Sequence, residues 1–268
     1  MREQQIRNMS EELDRDGFVH CKQVLSGDLL ALAQEAVESN LKKPSPMAAN
    51  YGDKTNPEGY FFHDFNNWRR IKQIEALFRH DSIVSLLQDL TRSQKLWFFH
   101  DHVLVKGGQG PGTPWHHDRP YYLVDGPKNV SIWIALTAIK KNHCLEFLRG
   151  SHKIAKLFMP AKFENGSAME SKEGFEILND SALQSYATSE PVCFEMEAGD
   201  AVVFNHKTIH RAPANDSNRV RIALSLRYLC DGATLTKKVV NATPPFDRMG
   251  LKFSEGDPIP ENWFPRVY

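Results

Sequence analysis

The sequence predicts a mainly β protein with flanking helices, arranged as a β sandwich or barrel backed by helices. In the first hundred residues, apolar positions recur at helical spacing, and from residue 97 onwards the apolar period changes to two, with turn residues between segments. No GxGxxG or GxxxxGK[ST] motif is present, which argues against a doubly wound nucleotide-binding fold. At 268 residues, one large domain is the default.

Two helical zones are predicted in the N-terminal part. Apolar residues between Leu29 and Val37 recur at helical spacing after Ser26, which is a residue type that caps helices, and a second zone covers residues 71–93. The segment between them, residues 43–68, is rich in proline, glycine, asparagine and aromatic residues. Its aromatic content favours a loop that folds over a site, although a plain surface loop fits equally well.

The second part of the chain reads as β-strands over residues 97–106, 129–139, 192–206 and 219–229. In the last of these, alternate residues form an apolar face: Val220, Ile222, Leu224 and Leu226. The opposite face carries small or charged residues: Arg219, Arg221, Ala223, Ser225 and Arg227. We therefore expect one face of the sheet to pack under helices and the other to line a cavity.

Composition excludes several classes of function. Lys+Arg equals Asp+Glu at 33 each, so charge gives no argument for a nucleic-acid partner or an anionic membrane. The apolar runs carry arginines and are too short to span a membrane, and no secretory signal is visible. The four cysteines form no CxxC pair, which predicts a reduced, cytoplasmic compartment. The oligomeric state stays open.

The segment 114-PWHHDRPYY-122 raises the possibility of a metal site. On a strand, His116 and Asp118 point to the same side and His117 faces away. An imidazole and a carboxylate at this spacing provide two of the three ligands of a 2-His-1-carboxylate triad, which leaves octahedral positions open at Fe(II). The pattern is short, so it is a weak signal when taken alone.

The third ligand and a basic anchor come from residues 199–221. His206 and His210 are both candidates, and strand parity does not separate residues four positions apart. Arg219 and Arg221 lie on the predicted cavity face of the next strand. A buried arginine requires an anion, and its guanidinium fork suits a carboxylate. Metal ligands beside a basic anchor are what a chelating dicarboxylate cosubstrate requires.

Five motifs in this order, PWHHDRPYY, SIWIAL, CLEFLRGSHK, GDAVVFNHKTIH and NRVRIALSLRY, resemble the phytanoyl-CoA dioxygenase family of Fe(II)/2-oxoglutarate-dependent oxygenases over roughly residues 10–265. The resemblance implies a cupin-like double-stranded β-helix, or jelly roll, in one domain, residues 1–268. Its expected parts are a mainly helical segment that packs on the sheet, a jelly-roll core and a C-terminal extension, at residues 1–95, 96–232 and 233–268.

The resemblance also implies the ligands and their order. Iron would be held by His116, Asp118 and His210. The arginine eleven residues beyond the distal histidine anchors the distal carboxylate of 2-oxoglutarate in this family, and here it is Arg221. This spacing favours His210 over His206 and Arg221 over Arg219. Three further cosubstrate contacts are expected: Trp133, Lys106 and His102.

Departures from the family pattern mark the substrate region. His117 stands where the family often has glutamine, and Arg211-Ala212 replaces a frequent Gly-Ser pair, so a hydroxyl that bonds the cosubstrate must come from elsewhere. Tyr121, Tyr122 and His117 are candidate substrate contacts, while ordinary packing would explain them equally well. Because Asp118 keeps the carboxylate that halogenating relatives lack, hydroxylation is favoured over halogenation.

The implied enzyme decarboxylates 2-oxoglutarate to succinate and CO2 with O2 and hydroxylates an unactivated C–H bond of a small metabolite. One alternative is a zinc-dependent hydrolase built on the same His/Asp/His set, although it would not need Arg221. Another is a non-catalytic jelly-roll binding protein, for which loss of a ligand would be the signature. The substrate, the choice among hydroxylation, desaturation and cyclisation, and the loop that closes the site stay open.

Overall fold

The computed structural model describes residues 2–52, 56, 58–159, 172–187 and 189–268. Within them, the α-helices are α1 (Arg2–Asp16), α2 (Gly27–Lys42), α3 (Lys72–Phe78), α4 (Asp81–Thr91) and α5 (Asp180–Tyr186). The strands are β1 (Phe18–Cys21), β2 (Ala49–Gly52), β3 (Tyr60–Phe65), β4 (Trp97–Lys106), β5 (Thr113–His116), β6 (Val124–Asp125), β7 (Val130–Ala135), β8 (Glu146–Phe147), β9 (Phe158–Met159), β10 (Glu176–Ile177), β11 (Ala201–Asn205), β12 (His210–Ala212), β13 (Arg221–Leu229) and β14 (Thr234–Leu235).

Two antiparallel sheets form the centre of the molecule. The larger has seven strands in the order β1-β11-β7-β13-β4-β3-β2, and the smaller has three in the order β5-β12-β8. The strands β9 and β10, and β6 and β14, form two additional short pairs. The prediction of a mainly β fold with flanking helices and a jelly-roll core is confirmed.

The alternation predicted for the strands separates two apolar layers. In β7, Ile132 and Ile134 join the cluster that also contains the buried faces of α2, α3 and α4, whereas Trp133 and Ala135 join a cluster with Phe147 of the smaller sheet. Successive side chains of a strand point to opposite faces, so one sheet can pack on helices and enclose a cavity at the same time.

Helix α2 shows how the outer layer is built. Its buried residues Ala33, Ala36, Val37 and Asn40 recur every three or four positions and therefore lie on one face. The first three pack in the core between the helices and the larger sheet. Asn40 instead donates a hydrogen bond to the buried carboxylate of Asp64 at 2.8 Å, which fixes α2 to the edge of β3.

The N-terminal part contributes strands as well as helices. The strand β1 pairs with β11, and residues 49–52 and 60–65 form a hairpin that extends the larger sheet beyond β4. The segment 43–68 thus contains two strands among its described residues, while residues 53–55 and 57 lie outside them. Phe61, His63 and Phe65 recur at period two and are buried, which suits a pleated strand, and the proline and glycine content of the surrounding segment had masked this signal.

The last part of the chain packs against the sheet ends. Phe246 and Phe264 join a cluster with Phe99 of β4, and β14 pairs with β6. The division of the chain at residues 95 and 232 remains a prediction. No helix among the described residues is both long enough and apolar enough to cross a membrane.

Candidate active site

A cavity of about 410 Å³ opens between the two sheets. Residues of β3, β4, β7 and β13 line it from the larger sheet, and residues of β5 and β12 line it from the smaller one. The predicted residues that line it are His116, Asp118, His210, Arg221, Trp133, Lys106, His102, Tyr121 and Tyr122. Residues from distant parts of the sequence therefore meet in one enclosed space.

Strand pairing brings His116 and His210 together. The two residues are direct partners in the β5–β12 ladder, and their ring centroids lie 4.4 Å apart. Asp118 completes the group, with its Oδ1 atom 3.9 Å from Nε2 of His116. One ligand atom from each of the three residues lies within 4.8 Å of the others. Within the described residues, these three side chains form the group of potential ligands that could hold a metal ion.

Backbone carbonyls orient both imidazoles. Nδ1 of His116 lies 2.8 Å from the carbonyl oxygen of Pro114, and Nδ1 of His210 lies 2.9 Å from that of Thr208. A carbonyl only accepts, so each Nδ1 carries the proton and each lone pair lies on Nε2. Burial lowers the pKa of both residues, that of His210 to about 4, which keeps the rings neutral. Neutral imidazoles with a fixed tautomer fit metal ligation.

Asp118 reaches the group by a turn rather than by strand alternation. The strand β5 ends at His116, and Asp118 has right-handed helical angles before a single 3-10 turn over Arg119–Tyr121. Between them, His117 points away from the cavity and its Nε2 accepts the backbone N–H of Phe158 at 3.0 Å. His117 thus lies in the wall behind the site and does not line the cavity that was expected to take the substrate.

The Asp118 carboxylate is held in its charged form. Burial alone would raise its pKa, but the positive charge of Arg227, together with His210 and His116, outweighs burial and holds the pKa well below its usual range. An Arg227 nitrogen lies 3.7 Å from Oδ2, and the Ser131 hydroxyl donates to the same oxygen at 3.4 Å. A charged carboxylate beside two neutral imidazoles is the donor set that a divalent metal requires.

The two candidate distal histidines lie at different places in the fold: His206 directly follows the end of β11, and His210 begins β12. The segment read as one strand divides into β11, which ends at Asn205, and β12, which begins at His210. His206 therefore falls in the turn between the sheets, where its Nε2 lies 3.1 Å from the carbonyl oxygen of Gly126. The parity argument could not separate the two residues because it assumed an uninterrupted strand.

Two buried basic side chains face each other at another part of the cavity. Lys106 and Arg221 are direct partners in the β4–β13 ladder, and both are more than nine-tenths buried. Lys106 donates to the Pro213 carbonyl at 3.1 Å, and Arg221 donates to the carbonyl of His143. Within the described part of the chain, neither has a carboxylate at ion-pair distance.

Burial lowers both pKa values, and the neighbouring positive charge lowers that of Lys106 further. Burial, and then the charge of Arg221, lowers the pKa of Lys106 to about 6, and burial lowers that of Arg221 to about 10. Like charges directly opposite in a sheet destabilise it. An anionic group between the two side chains would relieve both the repulsion and the desolvation. The pair therefore fits a carboxylate of a small ligand.

Thr113 offers a hydroxyl near the position where the family motif has one. It is the ladder partner of Ala212, lines the cavity, and accepts the Ala212 N–H through Oγ1 at 2.9 Å. Its own hydroxyl proton can be donated to a ligand. Trp133 lines the cavity from the opposite side, in β7 of the larger sheet.

His102 lies in the cavity wall, but other side chains engage both of its ring nitrogens. Nδ1 lies 3.2 Å from a guanidinium nitrogen of Arg227, and Nε2 lies 3.0 Å from Nδ1 of His63. A direct hydrogen bond to the cosubstrate would break one of these contacts. Tyr122 donates to Asp118 and accepts from Arg227, so it supports the carboxylate, whereas Tyr121 lines the cavity with a buried hydroxyl.

Arg227, Thr113 and His63 line the cavity without having been predicted as site residues. Arg227 already carried a signal, because it lies on the cavity face of the alternating pattern in residues 219–228. Thr113 and His63 carried no such signal in the sequence. Thr113 precedes the histidine pair, and His63 lies in the segment that was interpreted as a loop. Only the pairing of β5 with β12 and of β3 with β4 brings them to the cavity.

Comparison with known proteins yields several relatives and a common fold. The chain is 30% identical to "Dioxygenase lolE1" of Epichloe uncinata over 149 residues, which cover 55% of this chain and 51% of that protein. It is 27% identical to a probable phytanoyl-CoA dioxygenase of Caenorhabditis elegans over 164 residues, 57% of this chain and 49% of that one. The matched segments thus span about half the length of these relatives.

The similar solved structures cover almost the whole chain. The carbocyclase SnoK from nogalamycin biosynthesis superposes with a TM-score of 0.78 at 22% identity, covering 98% of this chain and 96% of that one. The epimerase SnoN in complex with Fe3+, alpha ketoglutarate and nogalamycin RO superposes with a TM-score of 0.76 at 20% sequence identity, and 99% of each chain is covered. These similarities establish the fold.

The family assignment comes from the sequence itself. The model of the phytanoyl-CoA dioxygenase (PhyH) family matches residues 13–223, which is most of the chain. Members of this family are oxidoreductases that use Fe(II), 2-oxoglutarate and O2. The matched region includes both histidines, the aspartate and Arg221. The chain therefore belongs to the phytanoyl-CoA dioxygenase family.

Proposed function

We propose that the protein is an Fe(II)- and 2-oxoglutarate-dependent dioxygenase that hydroxylates an unactivated C–H bond of a small metabolite. The observation that carries this proposal is one cavity that contains two different sets of groups. One is a buried His/Asp/His donor set, and the other is the Lys106–Arg221 pair of buried cations without a carboxylate partner among the described residues.

In this proposal, His116, Asp118 and His210 hold the metal, and Arg221 with Lys106 binds the distal carboxylate of 2-oxoglutarate. Bound iron, with 2-oxoglutarate and O2, supplies the oxidation of the substrate C–H bond, with release of succinate and CO2. The donor set supports iron because both imidazoles are neutral and the carboxylate is charged.

The chain's own residues orient the reactants and exclude water. The carbonyls of Pro114 and Thr208 fix the planes of the two imidazoles, so no reorientation is needed when the metal binds. Arg221 orients the cosubstrate through its guanidinium fork, and the Thr113 hydroxyl takes the place of the serine that the family often has after the distal histidine. Trp133 lines the cavity from the larger sheet.

A small-molecule substrate is supported by the size of the cavity, about 410 Å³, part of which the cosubstrate would occupy. The printed descriptions of two similar structures name small organic ligands, nogalamycin RO for SnoN and 5-hydroxyectoine for EctD. A cytoplasmic location is supported by the four cysteines, all of which are free.

The test is an anaerobic titration of the protein with Fe(II) and 2-oxoglutarate, followed by its visible absorption spectrum. We expect the charge-transfer band of an iron-chelated keto acid, and we expect succinate to form after O2 is admitted. A protein that binds Zn(II) tightly but gives neither the band nor succinate would instead be a zinc-dependent hydrolase or a binding protein. Arg221 and Lys106 argue against the hydrolase, because a hydrolytic zinc site needs no such anion-binding pair.

A further inference from the structure

His63 lies on the cavity side of β3, in the hairpin that extends the larger sheet. It is 7% exposed, and its ring is nearly parallel to those of Tyr51 and Phe61, with centroids 5.3 Å and 5.6 Å away. The neighbouring Asp64 accepts hydrogen bonds from Asn40 and from both the backbone and the hydroxyl of Ser45. The position and plane of the His63 ring are therefore fixed by its surroundings.

A chain of hydrogen bonds determines which nitrogen of His63 carries the proton. Arg227 donates to Nδ1 of His102 at 3.2 Å. A guanidinium group has no acceptor, so Nδ1 of His102 accepts and its proton lies on Nε2. That Nε2–H can then only donate to Nδ1 of His63, 3.0 Å away. The proton of His63 must consequently lie on its own Nε2.

This series of hydrogen bonds ends at His63, in a donor that has no protein acceptor among the described residues. Nε2 of His63 is buried, and no hydrogen-bond partner for it is found among the described residues. A buried N–H group without an acceptor is costly, so such a group at a cavity wall calls for a ligand. Both rings stay neutral, because burial lowers the pKa of His63 to about 4 and that of His102 well below its usual range.

We propose that His63 Nε2–H is a specificity-determining hydrogen-bond donor that binds an uncharged carbonyl oxygen on an apolar substrate. The inference deepens the proposed function and depends on it, because it assigns this donor to the molecule that is oxidised in the same cavity. His63 lies outside the five motifs that carry the family resemblance, so the assignment follows from its position in the cavity and its hydrogen bonds.

The environment favours a neutral acceptor over a carboxylate. The nearest cation in the hydrogen-bond chain, Arg227, has its charge balanced by Asp118 and also contacts Tyr122 and His102, while its Nη1 has no hydrogen-bond partner among the described residues. A carboxylate at His63 would lose its hydration and gain only one neutral donor. A ketone or amide oxygen is satisfied by one such bond, and the rings of Tyr51, Phe61 and Phe65 suit an apolar or aromatic framework around it.

The first test measures the tautomers directly. The full-length protein, labelled with 15N-histidine and loaded with Zn(II) and 2-oxoglutarate, is examined by long-range 1H–15N NMR. We expect both His63 and His102 to carry the proton on Nε2, and the His63 signals are assigned by their loss in His63→Phe. A His63 ring with its proton on Nδ1, or a doubly protonated ring, would overturn the inference.

The second test uses a matched pair of probes, 1-tetralone and tetralin, which differ by one carbonyl oxygen. Binding of each to the same Zn(II)- and 2-oxoglutarate-loaded protein is measured by ligand-observed NMR. We expect the ketone to bind about tenfold more tightly than the hydrocarbon, which is the effect of one net hydrogen bond. Equal affinities in the parent protein, or no binding of either probe, would refute the assigned donor.

Three variants separate the donor from the shape of the cavity. His63→Phe should reduce the preference for the ketone to about twofold or less. His63→Gln should retain it, because the amide oxygen can accept from His102 while the amide nitrogen donates into the cavity. Thr243→Val removes another hydroxyl from the cavity wall and should leave the preference unchanged. If His63→Phe retains the preference for the ketone, or if Thr243→Val loses it to the same extent, the proposal is contradicted.

The outcome can be distinguished from a failure of the proposed function. The Fe(II)–2-oxoglutarate charge-transfer band is recorded for the parent protein and for His63→Phe, and it should be the same in both, because His63 does not contact the donor set or the cation pair. A normal band with no ketone preference would reject only the role of His63. A missing band with an intact preference would reject the oxygenase and keep the donor.

Discussion

Two sides of the cavity are held in place by different kinds of contact. The first, the cofactor side, consists of His116, Asp118, His210, Lys106 and Arg221. Its histidines are ladder partners, as are its two cations, and backbone carbonyls orient every side chain of these two pairs. The geometry of these two pairs therefore follows from sheet register and from the backbone, whereas the Asp118 carboxylate is held by the side chains of Arg227, Ser131 and Tyr122.

The second, the hairpin side, consists of Tyr51, His63 and Phe65. Ring packing and one side-chain hydrogen bond orient its histidine: His63 stacks on Tyr51 and bonds to His102, which Phe65 meets edge-on at 5.8 Å. No backbone carbonyl among the described residues fixes the tautomer of His63. Its proton position depends on a cation on another strand, Arg227.

This difference teaches which part of a site tolerates change. A pair of histidines fixed by two facing strands keeps its geometry as long as the sheet forms, whereas a hairpin that docks by side chains can exchange those side chains and so alter what the cavity binds. We expect substitutions on the cofactor side to weaken metal or cosubstrate binding, and substitutions on the hairpin side to change substrate preference alone.

The largest effect is expected at the distal histidine. His210→Ala removes a metal ligand and should weaken Fe(II) binding by more than about 100-fold, since even the loss of a residue that supports a ligand costs about 10–100-fold. Anaerobic isothermal titration with Fe(II) measures this. The matched control is His206→Ala, four residues earlier in the sequence. We expect it to lower the stability of the fold but to leave the Fe(II) affinity of the folded protein unchanged. Equal losses in the two variants would mean that His206 also binds the metal.

The next effect is expected at the cosubstrate anchor. Arg221→Leu removes charge-assisted hydrogen bonds and should weaken 2-oxoglutarate binding by about 100-fold, with Fe(II) binding little changed. The charge-transfer band, titrated with 2-oxoglutarate, gives the cosubstrate affinity, and anaerobic titration with Fe(II) gives the metal affinity. As the counterpart on the hairpin side, Phe65→Leu should change them by no more than about twofold. A large loss in Phe65→Leu would show that the two sides are not independent.

A smaller effect, with a distinct pH dependence, is expected at Lys106. Lys106→Met should weaken 2-oxoglutarate binding by about tenfold, yet it should stabilise the cofactor-free protein by about 1–3 kcal/mol at pH 7 because an unpaired buried amine is removed. Burial lowers the pKa of Lys106 from 10.5 to about 6. Between these pH values Lys106 is protonated in the unfolded chain but not in the folded one. The free energy of unfolding of the parent protein therefore decreases as pH falls from 10.5 to 6.

The advantage of Lys106→Met should accordingly be greatest near pH 6 and vanish near pH 10.5. Thermal unfolding at several pH values measures it. Lys95→Met, at an exposed lysine of the same chain, should shift stability by less than about 0.5 kcal/mol at every pH. A variant that is less stable than the parent at pH 7 would indicate that Lys106 already has an anionic partner.

Much of the fold and of the cofactor side could be predicted because the signals are local or repeated. Period-two alternation identifies the segments that form β4, β7, β11 and β13, and the same alternation predicts which side of β13 faces the cavity. The spacing of motifs selects His210 and Arg221, and both line the cavity with His116 and Asp118. Their roles as ligand and anchor stay predictions until they are measured.

The remaining features depend on contacts that no local pattern encodes. The division between β11 and β12 separated His206 from His210, and the helical angles of Asp118 replaced the expected strand. His117 was placed correctly as facing away, but its partner, the amide of Phe158, lies 41 residues further along. Such pairings follow from the packing of two sheets, which the sequence alone does not specify.

The sequence by itself determined the class of fold, the family and the order of the chemically active residues, because each of these depends on residue type at a fixed spacing. The tertiary structure alone decided which residues meet. Pairing of β4 with β13 brought two basic side chains, Lys106 and Arg221, together in the interior, and docking of the hairpin linked His63 through His102 to Arg227. The physical reason is that charge repulsion and the choice of a histidine tautomer depend on distances between side chains that only the folded sheets bring within a few ångströms.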